Sequence, residues 1–307
     1  MKSTTHVLAY TAMIAVTVFW GLSFVATKIA LETFPTFTLI FIRFSVAGLF
    51  FFFLMLSRGL PKFSRRDHAR IFLTALFEPG LYFIFETIGL QYTSAPKTAL
   101  IIATIPVAVL MFAFLFLGER TSVTSILGIG LSLLGIGILV VGDPQFSWQI
   151  EGSLLGDLLI MGAVVTAALY MVSARNLGKE HNALDITGYQ MMYGALLYVP
   201  LFLWELPSVQ WSAMSGRSIV ALAYLTLFAT CAGFLFCNFA LTKLPAGKAS
   251  VFVNGIPVVT AIGAWFILGE SLTMLQICGG IIVLTAVCLT NLSGLKTHRK
   301  TAAEPFS

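Results

Sequence analysis

A chain of 307 residues that is 58% hydrophobic and only 10% charged cannot clothe a water-facing surface, because soluble domains carry about 25% charged residues. Lipid accepts such a chain, and spans of roughly 20 residues each consume most of its length, which excludes a soluble catalytic or nucleic-acid-binding domain. The formal charge of +5 invites an acidic partner, but its distribution along the chain points elsewhere.

The first apolar run, 7–31, is too long for the core of a signal peptide and reads as a membrane span. Further runs follow at 36–57, 70–90, 95–117, 123–142, 154–174, 185–204, 216–240, 246–268 and 272–292. Charges and turn residues separate them, as in Ser57-Arg58-Gly59, Gly118-Glu119-Arg120, Gly142-Asp143-Pro144 and Gly269-Glu270-Ser271. Backbone groups in hydrocarbon must pair within the protein, and runs of this length without strict alternation mean helices. The expected class is therefore an all-α integral membrane protein with ten transmembrane helices.

Placing the N-terminus inside puts fourteen of the eighteen Lys and Arg residues on the inner face. The outer face keeps Lys28, Lys97 and Arg217, and Arg43 falls within a span. The basic balance is thus topology. Nucleic acid is not an expected partner, whereas membrane lipids are. Both termini are expected in the cytoplasm, with 293–307 as a short polar tail. Cys231, Cys237, Cys278 and Cys288 lie in apolar runs without CxxC spacing, as small buried residues do.

The fourth and ninth runs repeat each other. Ala95, Lys97, Pro106, Leu117, Gly118 and Glu119 recur as Ala246, Lys248, Pro257, Leu268, Gly269 and Glu270, at one offset of 151 residues. The same offset aligns Phe85 with Phe236 and Gly128 with Gly279. The expected organisation is a first repeat over 7–142 and a second over 154–292. Each repeat holds five spans, an odd number, so the second enters the membrane inverted. Inverted repeats recur in secondary transporters, which bind substrate near the midplane. Exchanging the conformations of two such halves turns an outward-open cavity inward at similar energy.

Phe19-Trp20-Gly21-Leu22-Ser23-Phe24 in the first run, the Pro–Gly–Glu pattern closing the fourth and ninth, and the glycines of the fifth (Gly128, Gly130, Gly135, Gly137) resemble the drug/metabolite transporter superfamily, in particular the EamA-type permeases. The similarity covers about 7–292. It implies a ten-helix basket around a central cavity, an inner-membrane location, and export of amino acids or other metabolites.

Buried ionisable groups are the first candidates for chemistry, since each costs about 3 kcal/mol or more at mid-bilayer unless compensated. Arg43 and Glu86 fall at compatible depths near the outer side, either as a structural ion pair or as a pair for which substrate or proton competes. Glu78 precedes Pro79, which bends a helix; it is either a satisfied acid near the inner interface or, with Glu86, a proton-coupling group. Tyr82 stands one turn from each acid. Trp20 and Tyr170 are approximate mates that either pack or line the cavity, and Asn238 and Asn254 either bind a zwitterion or bond across helices. Lys97 and Lys248 begin the fourth and ninth spans, where they either attract anions at alternate gates or reach for head groups. Pro106 and Pro257 are expected to kink their helices. Gly128, Ser132, Gly279 and Gly280 serve packing within one subunit or the face of a homodimer.

The four histidines (His6, His68, His181 and His298) all fall in loops or tails, so no metal site is expected within the spans, and no cofactor is expected. No GxxxxGK[ST] sequence is present, which leaves a gradient as the driving force. The expected function is a secondary carrier moving a small zwitterionic metabolite outward. Uptake, a channel and an intramembrane enzyme are the competing readings. The last of these requires paired aspartates, or Ser with His, at matching depth, and neither is visible.

Overall fold

A computed structural model describes residues 2–117, 123–144, 146 and 150–301. The chain opens with two unbroken helices, α1 (Lys2–Leu31) and α2 (Thr36–Arg58). The third run is α3 (Arg65–Ala75), a π-helical stretch over Leu76–Leu81, and α4 (Tyr82–Gly89). The fourth divides into α5 (Ala95–Ile102) and α6 (Ile105–Leu117). Then come α7 (Val123–Val141), α8 (Gly152–Leu177) and α9 (Ala183–Glu205). The eighth run is α10 (Gly216–Tyr224), a second π-helical stretch over Leu225–Ala232, and α11 (Gly233–Lys243). The ninth is α12 (Ala246–Ser250), a 3-10 stretch over Val251–Gly255, and α13 (Ile256–Leu268); α14 (Met274–Thr301) closes the chain.

Among the described residues seven helical stretches are long and apolar enough to cross a bilayer, and three shorter apolar helices accompany them. Large apolar side chains such as Phe53, Leu196, Trp204 and Phe266 face outward. Hydrocarbon tolerates that surface and water does not. The protein is thus an all-helical, multi-pass membrane protein.

Two boundaries differ from expectation. α3 begins at Arg65, because the Ser64 hydroxyl and the Asp67 carboxylate form a reciprocal capping box that satisfies its first N–H groups. α14 runs on to Thr301, beyond the expected end of the tenth span at 292 and into the polar tail. Gly118, Glu119 and Arg120 of the first Pro–Gly–Glu pattern lie outside the described residues, as do residues 302–307.

Packing interleaves the two parts of the chain. The principal helix contacts are α2 on α9, α7 on α14, α1 on α11 and α13, and α4 on α8. Each joins an element before residue 142 to one that begins at residue 152 or later, so the two parts share one packed interior.

Each of the ion pairs below joins residues that the sequence assigns to one and the same side. Lys28–Glu270, Lys97–Asp143, Lys97–Asp157 and Arg217–Glu32 join residues expected outside, and Arg70–Glu180 and His181–Asp67 join residues expected inside. Within the inner cluster, two hydrogen bonds from Arg70 at 2.7 and 3.1 Å hold the Glu180 carboxyl below its ordinary range.

α7 and α14 pack through glycine. A Cβ on Gly279 would lie 2.9 Å from the Gly135 carbonyl oxygen and 2.9 Å from the Leu139 nitrogen, and one on Gly280 would meet Leu100 at 3.0 Å. Both glycines are therefore used within the chain and are not free for a homodimer face. Backbone cannot retreat as a side chain can, so Gly279→Ala should cost about 1–3 kcal/mol through overpacking and lower the melting temperature in detergent. Gly137→Ala, where an added Cβ meets nothing within 4 Å, should not. Equal effects of the two substitutions would refute this account of the contact.

Candidate functional site

Three interruptions of helix shape the interior. At Glu78 the backbone leaves helical geometry (φ −150°, ψ 117°), and Pro79 contributes no N–H. Between α5 and α6 the chain breaks at Ala103 and Thr104, and between α12 and α13 it tightens over Val251–Gly255. Pro106 and Pro257 are the second residues of α6 and α13, where a missing N–H costs nothing. Each break thus falls just before the proline expected to cause it.

Ile102, Ile105, Val253 and Ile256, at or beside the latter two breaks, wall one cavity. The same cavity is lined by Trp20, Arg43, Glu78, Tyr82, Glu86 and Tyr170. Six of the residues singled out from sequence therefore meet in one place.

Arg43 is 4% exposed and Glu86 2%, yet they form no direct ion pair, contrary to the pairing expected from their depths. The Arg43 guanidinium instead lies 4.4 Å from the Phe83 ring centroid, a cation–π contact. Its Nε donates a hydrogen bond to the Thr230 hydroxyl. Its two terminal nitrogens make no hydrogen bond among the described residues. Glu86 Oε2 accepts from the Thr87 hydroxyl at 2.9 Å, and the Glu78 carboxylate has no hydrogen-bond donor among the described residues. The Tyr82 hydroxyl is likewise uncommitted.

The aromatic pair behaves differently. Trp20 Nε1 donates to the Ala229 carbonyl at 3.0 Å, and the Tyr170 hydroxyl donates to Asn238 Oδ1 at 3.0 Å. With their polar handles engaged, these rings offer the cavity an apolar surface. Phe234 sits between them, its ring 5.7 Å from Trp20 and 5.9 Å from Tyr170.

Asn238 takes the second of its two readings: it does not line the cavity but bonds across helices, holding Tyr170 from behind and donating to Thr187 and Gln190, both at 2.9 Å. Three expectations need correction. Asn254 does not line the cavity, and its Oδ1 is buried without a hydrogen-bond partner among the described residues. Glu78 is not at the inner interface but shares the cavity with Glu86. Lys97 neither snorkels nor presents a free cation. It is fully buried, with its Nζ 2.6 Å from Asp157, 2.8 Å from Asp143 and 3.0 Å from the Ser153 hydroxyl. Two carboxylates already match its charge, so it has none to spare for an incoming anion. The Lys248 side chain lies outside the described residues.

Sequence reading missed Thr230, Phe83, Phe234, Gln190 and Tyr198. Each is an ordinary residue of an apolar run, and only its partner across the bundle gives it a role. It also passed over the use of Glu270. Gly269 takes the left-handed conformation (φ 69°) that ends α13, and Glu270 then accepts from Lys28 Nζ at 2.6 Å and from the Ala95 N–H at 2.9 Å. The Gly–Glu pair noted as a motif is a helix stop followed by a clasp on the first turn of α5.

Asp67, Glu180 and His181 bring candidate metal-ligand atoms within 4.8 Å of one another. They lie in the first turn of α3 and just after α8, apart from the residues that line the cavity, and Arg70 already pairs with Glu180.

A many-helix apolar bundle with charged groups turned into a cavity is what a membrane transporter requires. The model of the EamA-like transporter family matches residues 7–141 and 154–292. The chain belongs to this family, and with it to the drug/metabolite transporter superfamily. It is 28% identical over 276 residues to an uncharacterized transporter of Archaeoglobus fulgidus, covering 90% of this chain and 96% of that one. It is 25% identical over 298 residues to the uncharacterized transporter YetK of Bacillus subtilis, covering 96% and 90%. A solved structure titled "Crystal structure of protein" shares the fold with a TM-score of 0.68 at 17% identity, covering 96% of this chain and 99% of that one.

Removing one partner of a buried ion pair strands the other charge, at about 3–5 kcal/mol. Lys97→Met should therefore lower the melting temperature sharply, because it leaves the fully buried Asp157 without its cation. The double variant Lys97→Met, Asp157→Leu should recover most of the loss, because the carboxylate that remains, Asp143, is the more exposed of the two and keeps its hydrogen bond from Ser153. Thermal unfolding in detergent measures this, and a double variant no more stable than the single would show that Lys97 is held otherwise.

Proposed function

We propose that the cavity binds a zwitterionic metabolite, an amino acid or a close relative, and that the protein exports it across the inner membrane by alternating access. One observation carries this reading: the free terminal nitrogens of Arg43 and the free carboxylate of Glu78 line the same cavity. A guanidinium accepts a carboxylate by two parallel hydrogen bonds, and a carboxylate accepts an ammonium. The engaged rings of Trp20 and Tyr170 then meet the apolar part of the substrate, and the Tyr82 hydroxyl offers one further hydrogen bond. Glu86 is the remaining acid and our candidate for proton coupling, with Glu78 as its alternative.

The transport cycle follows from ten crossings arranged as two inverted repeats over 7–142 and 154–292, with both termini in the cytoplasm. Support for the repeat comes from its boundaries. α5 and α12 begin at Ala95 and Ala246, α6 and α13 at Ile105 and Ile256, and α3 and α10 at Arg65 and Gly216, all at the offset of 151 read from sequence. The π-helical stretches Leu76–Leu81 and Leu225–Ala232 overlap at that offset too, and the two segments matched by the family model fall one on each proposed repeat.

Purified protein in proteoliposomes, loaded with a panel of labelled amino acids, should show saturable flux stimulated by substrate on the opposite side. Arg43→Gln should reduce it about tenfold or more, the loss expected for one charged hydrogen bond. Absence of protein-dependent flux across the panel would reject the substrate class. Flux that neither saturates nor responds to trans substrate would reject the carrier mechanism.

A further inference from the structure

Both π-helical stretches are held by side chains from the other half of the chain. The carbonyls of Glu78, Pro79 and Gly80, set free by the break in the first half, accept hydrogen bonds from α9 in the second. Gln190 Nε2 donates to Glu78 O at 2.6 Å, and the Tyr198 hydroxyl is shared between Pro79 O, at 3.0 Å, and Gly80 O. The second stretch, Leu225–Ala232, is held from the first half in turn. Trp20 Nε1 donates to Ala229 O, and Arg43 Nε to the Thr230 hydroxyl.

The two holds mirror each other. α2 starts at Thr36 and ends at Arg58, α9 starts at Ala183 and ends at Glu205, and in this frame Arg43 on α2 corresponds to Gln190 on α9. One position on paired helices thus reaches across to the opposite π-helical stretch. Their chemistry is unequal. Gln190 is neutral, fully buried and away from the cavity, and it is tied on its other side to Asn238, which holds Tyr170. Arg43 is charged and lines the cavity itself.

We propose that Thr230 and Gln190 are positioning residues of the transport site: Thr230 fixes the Arg43 guanidinium, and Gln190 fixes the backbone that carries Glu78. Neither lines the cavity. Thr230 engages Nε and so leaves the two terminal nitrogens of Arg43 for ligand. Gln190 satisfies the Glu78 carbonyl without touching the carboxylate. This rests on the reading of Arg43 and Glu78 as the substrate's charged partners. Its consequence is that a ligand reaches both stretches, Leu76–Leu81 directly through Glu78 and Leu225–Ala232 through Arg43 and Thr230.

A native reporter tests the assignment without any substrate. Cys231 lies within the second stretch next to Thr230 and is 8% exposed; Cys237, further along on α11, is fully buried. N-ethylmaleimide labelling of the purified full-length protein, located by mass spectrometry, reads the opening of each site. Thr230→Val keeps the shape and removes the acceptor. It should speed Cys231 labelling about tenfold, the equivalent of one charged hydrogen bond, and leave Cys237 slow. Thr230→Ser should restore the wild-type rate. Arg43→Met should match Thr230→Val, and the double variant should be no faster than either, as coupled partners require.

Gln190→Leu should leave Cys231 slow while raising amide hydrogen exchange across 76–81. Wild-type labelling of Cys231 in Thr230→Val, equal acceleration at Cys237, or additive effects in the double variant would each overturn the hold of Thr230 on Arg43. Unchanged exchange at 76–81 in Gln190→Leu would overturn the hold on Glu78. Because no ligand is used, these outcomes are separate from failure of the amino-acid flux assay.

Discussion

A helix interrupted inside a bilayer exposes backbone carbonyls that water cannot reach, and the protein must supply their partners. That constraint organises this structure. The breaks let helices open a cavity in a bundle that would otherwise close on itself. At Glu78–Gly80, at Phe252 and at Ala229 the bonds to main-chain carbonyls come from helices of the other half, so the halves are stitched together there. Gln190 and Tyr198 on α9, and Trp20 on α1, serve as these partners. A carrier needs joints that bend without exposing unpaired polar groups, and a hydrogen bond between packed helices meets that need better than a continuous helix would.

The charges follow the same economy. In hydrocarbon a lone guanidinium is costly, and Arg43 is kept by an aromatic face, one hydroxyl and the nearby acids instead of a closed salt bridge. A direct pair with Glu86 would have neutralised both groups and left nothing for a ligand. Lys97 shows the opposite solution. It is locked between Asp143 and Asp157 at the start of α5, and its charge is spent on structure. Two buried cations of one chain thus have different fates, decided by whether a carboxylate lies within contact distance.

Much of this was legible in sequence because lipid imposes strong patterning. Long apolar runs marked the helices, and the distribution of Lys and Arg sorted the loops into two sets that the ion pairs respect. The residues lining the cavity were legible for a related reason: Arg43, Glu78 and Glu86 are expensive in an apolar run, and a sequence keeps them where they are compensated. Thr230, Gln190, Phe83 and Phe234 gave no such signal. Hydroxyls, amides and phenyl rings are common in membrane helices, and their roles arise from partners distant in the chain, as Phe83 is from Arg43 and Phe234 from Trp20, about which local pattern says nothing. Lys97 was misread because its depth was visible and Asp157, its partner on another helix, was not connected to it by any spacing.

The account turns on the two halves running in opposite directions through the membrane. Tyr92 and Lys243 are both exposed and occupy matching positions after α4 and at the end of α11. Single cysteines at these positions, in a background where the native cysteines are replaced, can be labelled in intact cells with a membrane-impermeant maleimide. The account predicts that position 92 reacts from outside and position 243 only after the membrane is opened. Reaction of both from the same face would contradict it.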